Sequence, residues 1–221
     1  HGWDRCVLLR VGASITIGSQ FLPGYVKRFR ALHPGAEIQA TMAPSKLLEQ
    51  KLMDNLLDLA LMEGVPHVPA LQSEEYMEDH LVVITPTDGP FRPGQHLSQT
   101  EFRQQKFLLR ERGSGTREEF ERVTEQAGFT VSPTWEATST TALVNAVISV
   151  LGIAVLPYRM VSAPLERGLV SAVTVEGLEF HRKFRIVYHR DKFLTAQARD
   201  FIALCRNFEE TASQHQYPGL C

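Results

Sequence analysis

The sequence predicts an α/β fold made of two lobes with a cleft between them. The chain has 221 residues, enough for two lobes of about 100 residues each. Strand-like and helix-like segments alternate along it, which is typical of mainly parallel sheets covered by helices. Between residues 85 and 94 a strand gives way to a run of prolines and glycines, where we expect the chain to cross between lobes.

The first part of the chain predicts two βα units and a third strand. A strand over 8–13 precedes a helix with one apolar face: Phe21, Leu22, Tyr25, Val26, Phe29 and Leu32. Alternation over 37–42 indicates a half-buried strand, and a helix follows Pro44. The segment 57–64, LDLALMEG, is typical of a buried strand that ends at a glycine.

The second part repeats the pattern. We predict a strand, a loop and a helix over residues 106–123, KFLLRERGSGTREEFERV. Another helix start is predicted within residues 137–147, ATSTTALVNAV. The apolar positions of that second helix are Leu143, Val144, Val147, Ile148 and Leu151. GIAVLP (152–157) and FRIVYHRD (184–191) are strand-like. A last helix has Ala198, Phe201, Ile202 and Cys205 on one face.

Composition excludes several classes of function. With a formal net charge of -2 and a pI of about 6.5, the chain lacks the excess of basic residues that is expected of a nucleic-acid-binding domain. The longest apolar run, 146–157, is shorter than the roughly 18 residues that indicate a membrane span. No export signal is visible, and the three cysteines (Cys6, Cys205 and Cys221) have no metal-ligand spacing. We therefore expect reduced thiols, a cytoplasmic location, no metal and no cofactor.

The loop RERGSGTREEF (110–120) has no catalytic phosphate-loop pattern. It lacks the spacing and lysine of a Walker loop, the third glycine of a dinucleotide fingerprint and the glycines of a nucleophile elbow. Two interpretations stay open. Glycines, hydroxyls and a helix start can hold an anion, or Ser114 or Thr116 can simply cap the helix with Glu118 or Glu119.

Hydroxyl clusters recur at three predicted junctions between a strand and a helix. The first contains Ser14 and Thr16, the second Ser114, Gly115 and Thr116, and the third Ser139 and Thr140. Three clusters that face one cleft would form a polar pocket for anions. Arg110, Arg112 and Arg117 could add bidentate contacts, or could be structural ion pairs. The acidic stretch EEYMEDH (74–80) favours a solvated face.

Four motifs in the same order resemble the effector-binding domain of LysR-type transcriptional regulators. They are LRVGASITIGSQFLPGYVKRFRALHPGAEIQ, LLEQKLMDNLLDLALMEG, LLRERGSGTREEF and STTALVNAVISVLGIAVLP, and they are spread from residue 9 to residue 157, so that the resemblance covers nearly the whole chain. One position departs from the pattern, because Val150 stands where the family usually has the first of two glycines and only Gly152 is kept.

The resemblance implies two Rossmann-like lobes of the type 2 periplasmic-binding-protein kind, over 5–85 plus 186–221 and over 86–185. It implies that a small anionic effector, a carboxylate or oxyanion, binds in the cleft, and that the protein is not an enzyme. The implied ligand-binding residues are Ser14, Thr16, Glu63, Gly64, Arg110, Ser114, Gly115, Thr116, Ser139 and Thr140.

The same resemblance implies a homodimer or tetramer that contacts DNA only through an N-terminal helix-turn-helix domain absent from this chain, with no membrane partner. Two alternatives to the regulator remain. A periplasmic solute-binding protein would share the fold but would need an export signal, and an enzyme such as a dehydratase or deaminase would need a positioned base.

Overall fold

The computed structural model describes residues 7–208, which form two compact units. The first unit contains residues 7–78 and 183–208, and the second contains 79–182. The chain passes between them after Glu78 and again after Arg182, in each case within a strand. The sequence prediction placed these divisions later, after positions 85 and 185. The proline and glycine run after Thr85 instead follows a strand that extends unbroken through Leu71–Pro86.

The elements of the two units alternate as a βα pattern requires. In the first unit they are β1 (Val7–Ala13), α1 (Ile15–Gln20), α2 (Leu22–Leu32), β2 (Ala36–Met42), α3 (Ser45–Met53), β3 (Leu59–Glu63) and the start of β4 (Leu71–Pro86). In the second they are the rest of β4, β5 (His96–Leu97), α4 (Gln99–Arg103), β6 (Leu108–Arg110), α5 (Gly115–Gln126), β7 (Trp135–Ala137), α6 (Thr140–Ile148), β8 (Ala154–Pro157), α7 (Tyr158–Glu166) and β9 (Val170–Val175). Strand β10 (His181–His189) leads back to the first unit, which ends with α8 (Ala196–Arg206).

The first unit is a sheet with apolar layers on both faces. Its strand order is β2-β1-β3-β10-β4, with β1 parallel to both β2 and β3, and β10 antiparallel to β3. Strand β3 is buried along its whole length, because Leu59 and Leu61 join one core cluster while Ala60 and Met62 join the other. Helices α2 and α8 cover the first of these clusters, where the ring centroids of Phe29 and Phe201 lie 5.4 Å apart.

The second unit combines antiparallel and parallel pairs. Strand β4 pairs antiparallel with β8 and β9, β9 pairs parallel with β5, and β6 pairs parallel with β7. A parallel bridge between Phe107 and Ile153 joins the start of β6 to the start of β8. Strands β7, β6 and β8 therefore run in the same direction, so the helices that follow them, α6, α5 and α7, begin at one edge.

Several details differ from the sequence prediction. The sheets are mixed rather than mainly parallel, because strand direction depends on connectivity that periodicity does not report. The acidic stretch 74–80 belongs to β4 itself, and Glu74 and Glu75 pair with the arginines at positions 206 and 185. Helix α7 carries Pro164 inside it, a residue that usually argues against a helix interior.

The predicted helical faces are largely confirmed. The four predicted positions of α8 are all buried, and so are the aromatic residues Phe21, Tyr25 and Phe29 at the four-residue spacing of one helix face. Leu32, at the end of that face, is 62% exposed because the helix stops there before Pro34. Within residues 7–208, no helix has the length and the apolar character that crossing a membrane requires.

Candidate functional site

Three polar residues follow neighbouring parallel strands of the first unit. Ser14 comes directly after β1, Ser45 begins α3 shortly after β2, and Glu63 is the last residue of β3. The strands are in register, because Ala13 pairs with Met42 and with Leu61. The carboxyl ends of parallel strands meet at one edge of a sheet, where ligands of α/β proteins bind.

The hydroxyl groups of Ser14 and Ser45 are buried without a partner. Their residues are 1% and 3% exposed, and neither Oγ atom has a hydrogen-bond partner among the described residues. Ser14 stands in the N-cap position of α1, but its side chain makes no cap hydrogen bond. Its backbone groups are both bonded: the N-H donates to the carbonyl of Leu61 at 2.9 Å, and the carbonyl accepts from the N-H of Gly18 at 2.7 Å. An unsatisfied buried hydroxyl costs about 1–3 kcal/mol, so a ligand or water that bonds to these groups would recover that free energy.

Thr16, Glu63 and Gly64 complete the predicted residues of the first unit. Thr16 is 1% exposed in α1, and Glu63 is 6% exposed. Gly64 has φ +74°, a conformation that favours glycine, and its N-H donates to the carbonyl of Lys183. A carboxylate accepts hydrogen bonds, so Glu63 suits an O-H or N-H group of a ligand better than a second anion.

The Ser114 loop of the second unit forms a helix cap. Gly113 has φ +93°, which turns the chain into α5. Ser114 Oγ then accepts hydrogen bonds from the backbone N-H groups of Thr116 at 3.1 Å and Arg117 at 3.3 Å. Of the two cap residues considered from the sequence, Ser114 is therefore the cap. Gly115 is the first residue of the helix and is buried.

Thr116 contacts a buried ion pair that the sequence did not indicate. Arg182 Nη1 donates to Thr116 Oγ1 at 3.1 Å, and Arg182 Nε donates to Asp79 Oδ2 at 2.8 Å. Arg159 Nε lies 3.9 Å from the other carboxylate oxygen of Asp79. The side chains of Arg182 and Asp79 are 2% and 1% exposed. No local signal could have found this group, because Asp79 and Arg182 are 103 positions apart.

Two of the three arginines of the loop, Arg110 and Arg117, have structural partners. Arg110 donates from Nε and Nη2 to the two carboxylate oxygens of Glu111, both at 2.9 Å. Arg117 donates from Nε to Glu121 at 2.7 Å and from Nη1 to the carbonyl of Arg110 at 2.9 Å. Arg112 is exposed. The ligand role predicted for Arg110 would require a ligand to compete with the adjacent Glu111 carboxylate.

The third hydroxyl cluster divides into a cap and a buried group. Ser139 is exposed, and its Oγ accepts from the backbone N-H of Ala142 at 3.1 Å at the start of α6. Thr140 is 8% exposed, and its Oγ1 has no hydrogen-bond partner within residues 7–208. Because β6 and β7 are parallel, and Glu111 N-H donates to the carbonyl of Ala137, Thr140 begins α6 at the edge where α5 begins.

Two other features of the described residues bear on the site. An open groove of about 710 Å³ in the second unit is lined by residues of other segments, among them His96, Gln99 and Thr174, and contains none of the predicted site residues. No group of three or more His, Cys, Asp or Glu side chains in the described part of the chain is arranged to hold a metal ion.

Comparison with known proteins identifies the family. The model of the LysR substrate binding domain matches residues 6–209. A RuBisCO operon transcriptional regulator of Allochromatium vinosum is 31% identical over 193 residues, which are 87% of this chain and 64% of that protein. This chain therefore spans somewhat less than two thirds of the length of that relative.

Solved structures show the same fold. The CcmR regulatory domain of Synechocystis PCC6803, in complex with 2-PG, has a TM-score of 0.83 at 21% identity and covers 93% of this chain and 98% of its own. The effector binding domain of QuiR in complex with shikimate has a TM-score of 0.80 at 15% identity, with 91% and 96% covered. These likenesses confirm the predicted two-lobed α/β fold class of the type 2 periplasmic-binding-protein kind. With a family match that spans nearly all of its residues, the chain belongs to the LysR substrate binding domain family.

Proposed function

We propose that this chain is the effector-binding domain of a LysR-type transcriptional regulator and that its effector is a small anionic metabolite. The observation that carries the proposal is the set of hydroxyl groups at strand ends, in which Ser14, Ser45 and Thr140 are buried without a hydrogen-bond partner among the described residues. Such groups are satisfied when a ligand oxygen accepts from them.

The donors in the second unit support an anion. Ser114 and Thr116 lie at the N-terminal end of the twelve-residue helix α5, where the helix dipole favours negative charge. Arg182 donates a hydrogen bond to Thr116 Oγ1, so the hydrogen of that hydroxyl group is left to donate to a ligand. Two structural relatives were solved in complex with a small molecule, one with 2-PG and the other with shikimate. Both complexes agree with a small polar effector for this chain.

We propose regulation rather than catalysis. A serine or threonine nucleophile needs a base within hydrogen-bond reach. Ser114 Oγ instead accepts from two backbone N-H groups, and Thr116 Oγ1 accepts from a guanidinium, which cannot take up a proton. In the whole protein, we propose that a separate N-terminal helix-turn-helix domain binds DNA in the cytoplasm and that the subunits form a homodimer or tetramer.

The coupling between effector and DNA has a bounded size. A ligand shifts a two-state equilibrium only by its difference in affinity for the two states, and a nearly complete switch needs about 5.5 kcal/mol. We propose that one effector uses hydroxyl groups of both units, so that it can favour one arrangement of the protein. DNA binding would then respond to its concentration.

A thermal-shift screen of this domain tests the proposal. The panel contains 2-PG, shikimate, sulfate, phosphate and a set of small carboxylates, with uncharged sugars for comparison. An effector at about 100 times its Kd adds roughly 2.7 kcal/mol, which raises Tm by about 5 °C or more in a domain of this size.

Two variants and a matched control locate the site. Ser14→Ala in the first unit and Thr116→Val in the second should each abolish the shift caused by the effector. Thr124→Val is the control, because Thr124 is also buried on α5 but its Oγ1 donates to the carbonyl of Glu121. A well-folded protein that responds to no anion, or an effector that is insensitive to both site variants, would refute the proposal.

A further inference from the structure

The hydroxyl groups of Thr116 and Thr124, both on α5, differ in whether their hydrogen has an acceptor. Thr124 Oγ1 donates to the carbonyl of Glu121 at 3.2 Å, the usual local arrangement for a threonine in a helix. Thr116 Oγ1 makes one hydrogen bond to the described residues, with Arg182 Nη1. Arginine has only donors, so Thr116 must be the acceptor in that bond. Its own hydrogen has no acceptor within residues 7–208.

The hydroxyl of Ser114 likewise acts only as an acceptor in its hydrogen bonds to the described residues. Its oxygen accepts from two backbone N-H groups, which use both of its lone pairs, so only its O-H remains for another partner. Thr140, at the same edge of the β6–β7 pair, adds a third hydroxyl that is more than nine-tenths buried and has no partner among the described residues. The part of the edge formed by Ser114, Thr116 and Thr140 therefore offers hydrogen-bond donors.

The buried ion pair explains why Thr116 is held as a donor. Arg182 would be costly to bury alone, but Asp79 compensates its charge through the 2.8 Å bond to Nε. The same carboxylate also lies 3.9 Å from Arg159 Nε. The direction of the Thr116 hydroxyl favours an oxygen atom that accepts a hydrogen bond, and an oxygen that carries negative charge accepts most strongly.

We propose that Arg182, fixed by Asp79, is a positioning residue: it occupies one lone pair of Thr116 Oγ1, leaves the Thr116 O-H to donate, and so favours a carboxylate or oxyanion oxygen over a neutral N-H group in this part of the effector site. The inference rests on the proposed function and adds to it the residue that sets the selectivity. Arg182 acts through Thr116 in this scheme.

Sulfate and sulfamide are the probes for the test. They have similar size and shape, but sulfamide is uncharged and replaces two acceptor oxygens with NH₂ donors. Calorimetric titration of the domain should show sulfate binding at least about tenfold more tightly than sulfamide, since one hydrogen bond to a charged group contributes about 1.5–3 kcal/mol. Equal affinities, or no sulfate binding, would overturn the proposal.

Variants separate positioning from folding. Thr116→Val should weaken sulfate binding at least about tenfold, while Thr116→Ser, which keeps the hydroxyl, should stay within about threefold of the parent. The double variant Asp79→Asn/Arg182→Gln removes the two most deeply buried charges together, so that neither of them is left without the other, while the side chain of Arg159 is 29% exposed to solvent. It should lose the preference for sulfate over sulfamide even though it remains folded. Thr124→Val should keep both affinities.

The results also distinguish this inference from the proposed function. If the double variant keeps the full preference for sulfate, Arg182 does not set selectivity and the inference is wrong. If sulfate does not bind while another effector binds and is lost in Ser14→Ala, the proposed function stands and only the inference fails.

Discussion

Replacing Gly152 with alanine should destabilise the second unit by about 2 kcal/mol. Gly152 lies between α6 and β8, and a Cβ atom built on it would collide with the carbonyl oxygen of Lys106 and lie 3.1 Å from its carbonyl carbon. That same oxygen accepts the backbone N-H of Ile153 at 2.9 Å. The backbone cannot move away from the new methyl group without disturbing this hydrogen bond.

The magnitude follows from three contributions. Overpacking costs about 1–3 kcal/mol, and weakening one backbone hydrogen bond costs about 0.5–1.5 kcal/mol. Alanine offsets about 0.4–1 kcal/mol of this by restricting the unfolded chain. A net loss near 2 kcal/mol lowers Tm by about 4–8 °C in a protein of this size.

The assay is differential scanning calorimetry of Gly152→Ala beside Gly35→Ala. Gly35 is the matched control, because nothing lies within 4 Å of a Cβ built there and its φ is not in the left-handed region. We expect the control to be neutral or slightly stabilised. If Gly152→Ala melts within about 1 °C of the parent, the close approach of Lys106 does not constrain this turn and the reasoning is refuted.

Three further outcomes are expected. Val150 has φ +61°, in the left-handed region, and is 52% exposed, so replacing it with glycine should relieve about 1–2 kcal/mol of backbone strain. Because glycine makes the unfolded chain more flexible, part of this gain is lost, and Val150→Gly should raise Tm by about 1–2 °C in calorimetry. A fall in Tm would contradict this. Burial alone would raise the pKa of Asp58, but hydrogen bonds from Arg10 and Lys192 outweigh it and hold that pKa below its ordinary value of 3.8. Asp58→Asn should therefore be less stable at neutral pH, and its difference from the parent should vanish as the pH falls below 3.8 and through the lowered pKa; a difference independent of pH would refute the ion pair. Burial raises the pKa of the Cys205 thiol, so little of the reactive thiolate forms in the folded protein. In a variant whose other two cysteines are replaced by serine, Cys205 should resist iodoacetamide at pH 8 and should react only in denaturant. Mass spectrometry measures the fraction of Cys205 that is alkylated.

Much of the local organisation could be predicted because it depends on neighbours in the sequence. The alternation of β1, β2 and β3 with helices follows from apolar spacing, and so do the buried positions of α2 and α8. The hydroxyl clusters were found for a similar reason, since helix starts prefer serine and threonine. That preference also explains why Ser114 and Ser139 are caps, so their position alone says little about a ligand.

The site residues that were missed have no local signature. Ser45 follows Pro44 like an ordinary residue of a first helical turn, and only its burial without a partner distinguishes it. Asp79 and Arg182 are 103 positions apart, and they form an ion pair only because β4 and β10 are neighbours in the sheet. Conversely, Arg110 resembled an anion ligand in the sequence, and the adjacent Glu111 carboxylate turns out to bind it in bidentate fashion.

The sequence by itself determined the α/β class, the order of the βα units and the family, because each rests on short-range periodicity and on motifs in a fixed order. Only the tertiary structure decided the mixed strand directions, the extent of β4 and which hydroxyl groups are already satisfied. The physical reason is that hydrogen-bond satisfaction and charge compensation are properties of atoms within a few ångströms. Partners such as Asp79 and Arg182 become neighbours only when the sheet forms.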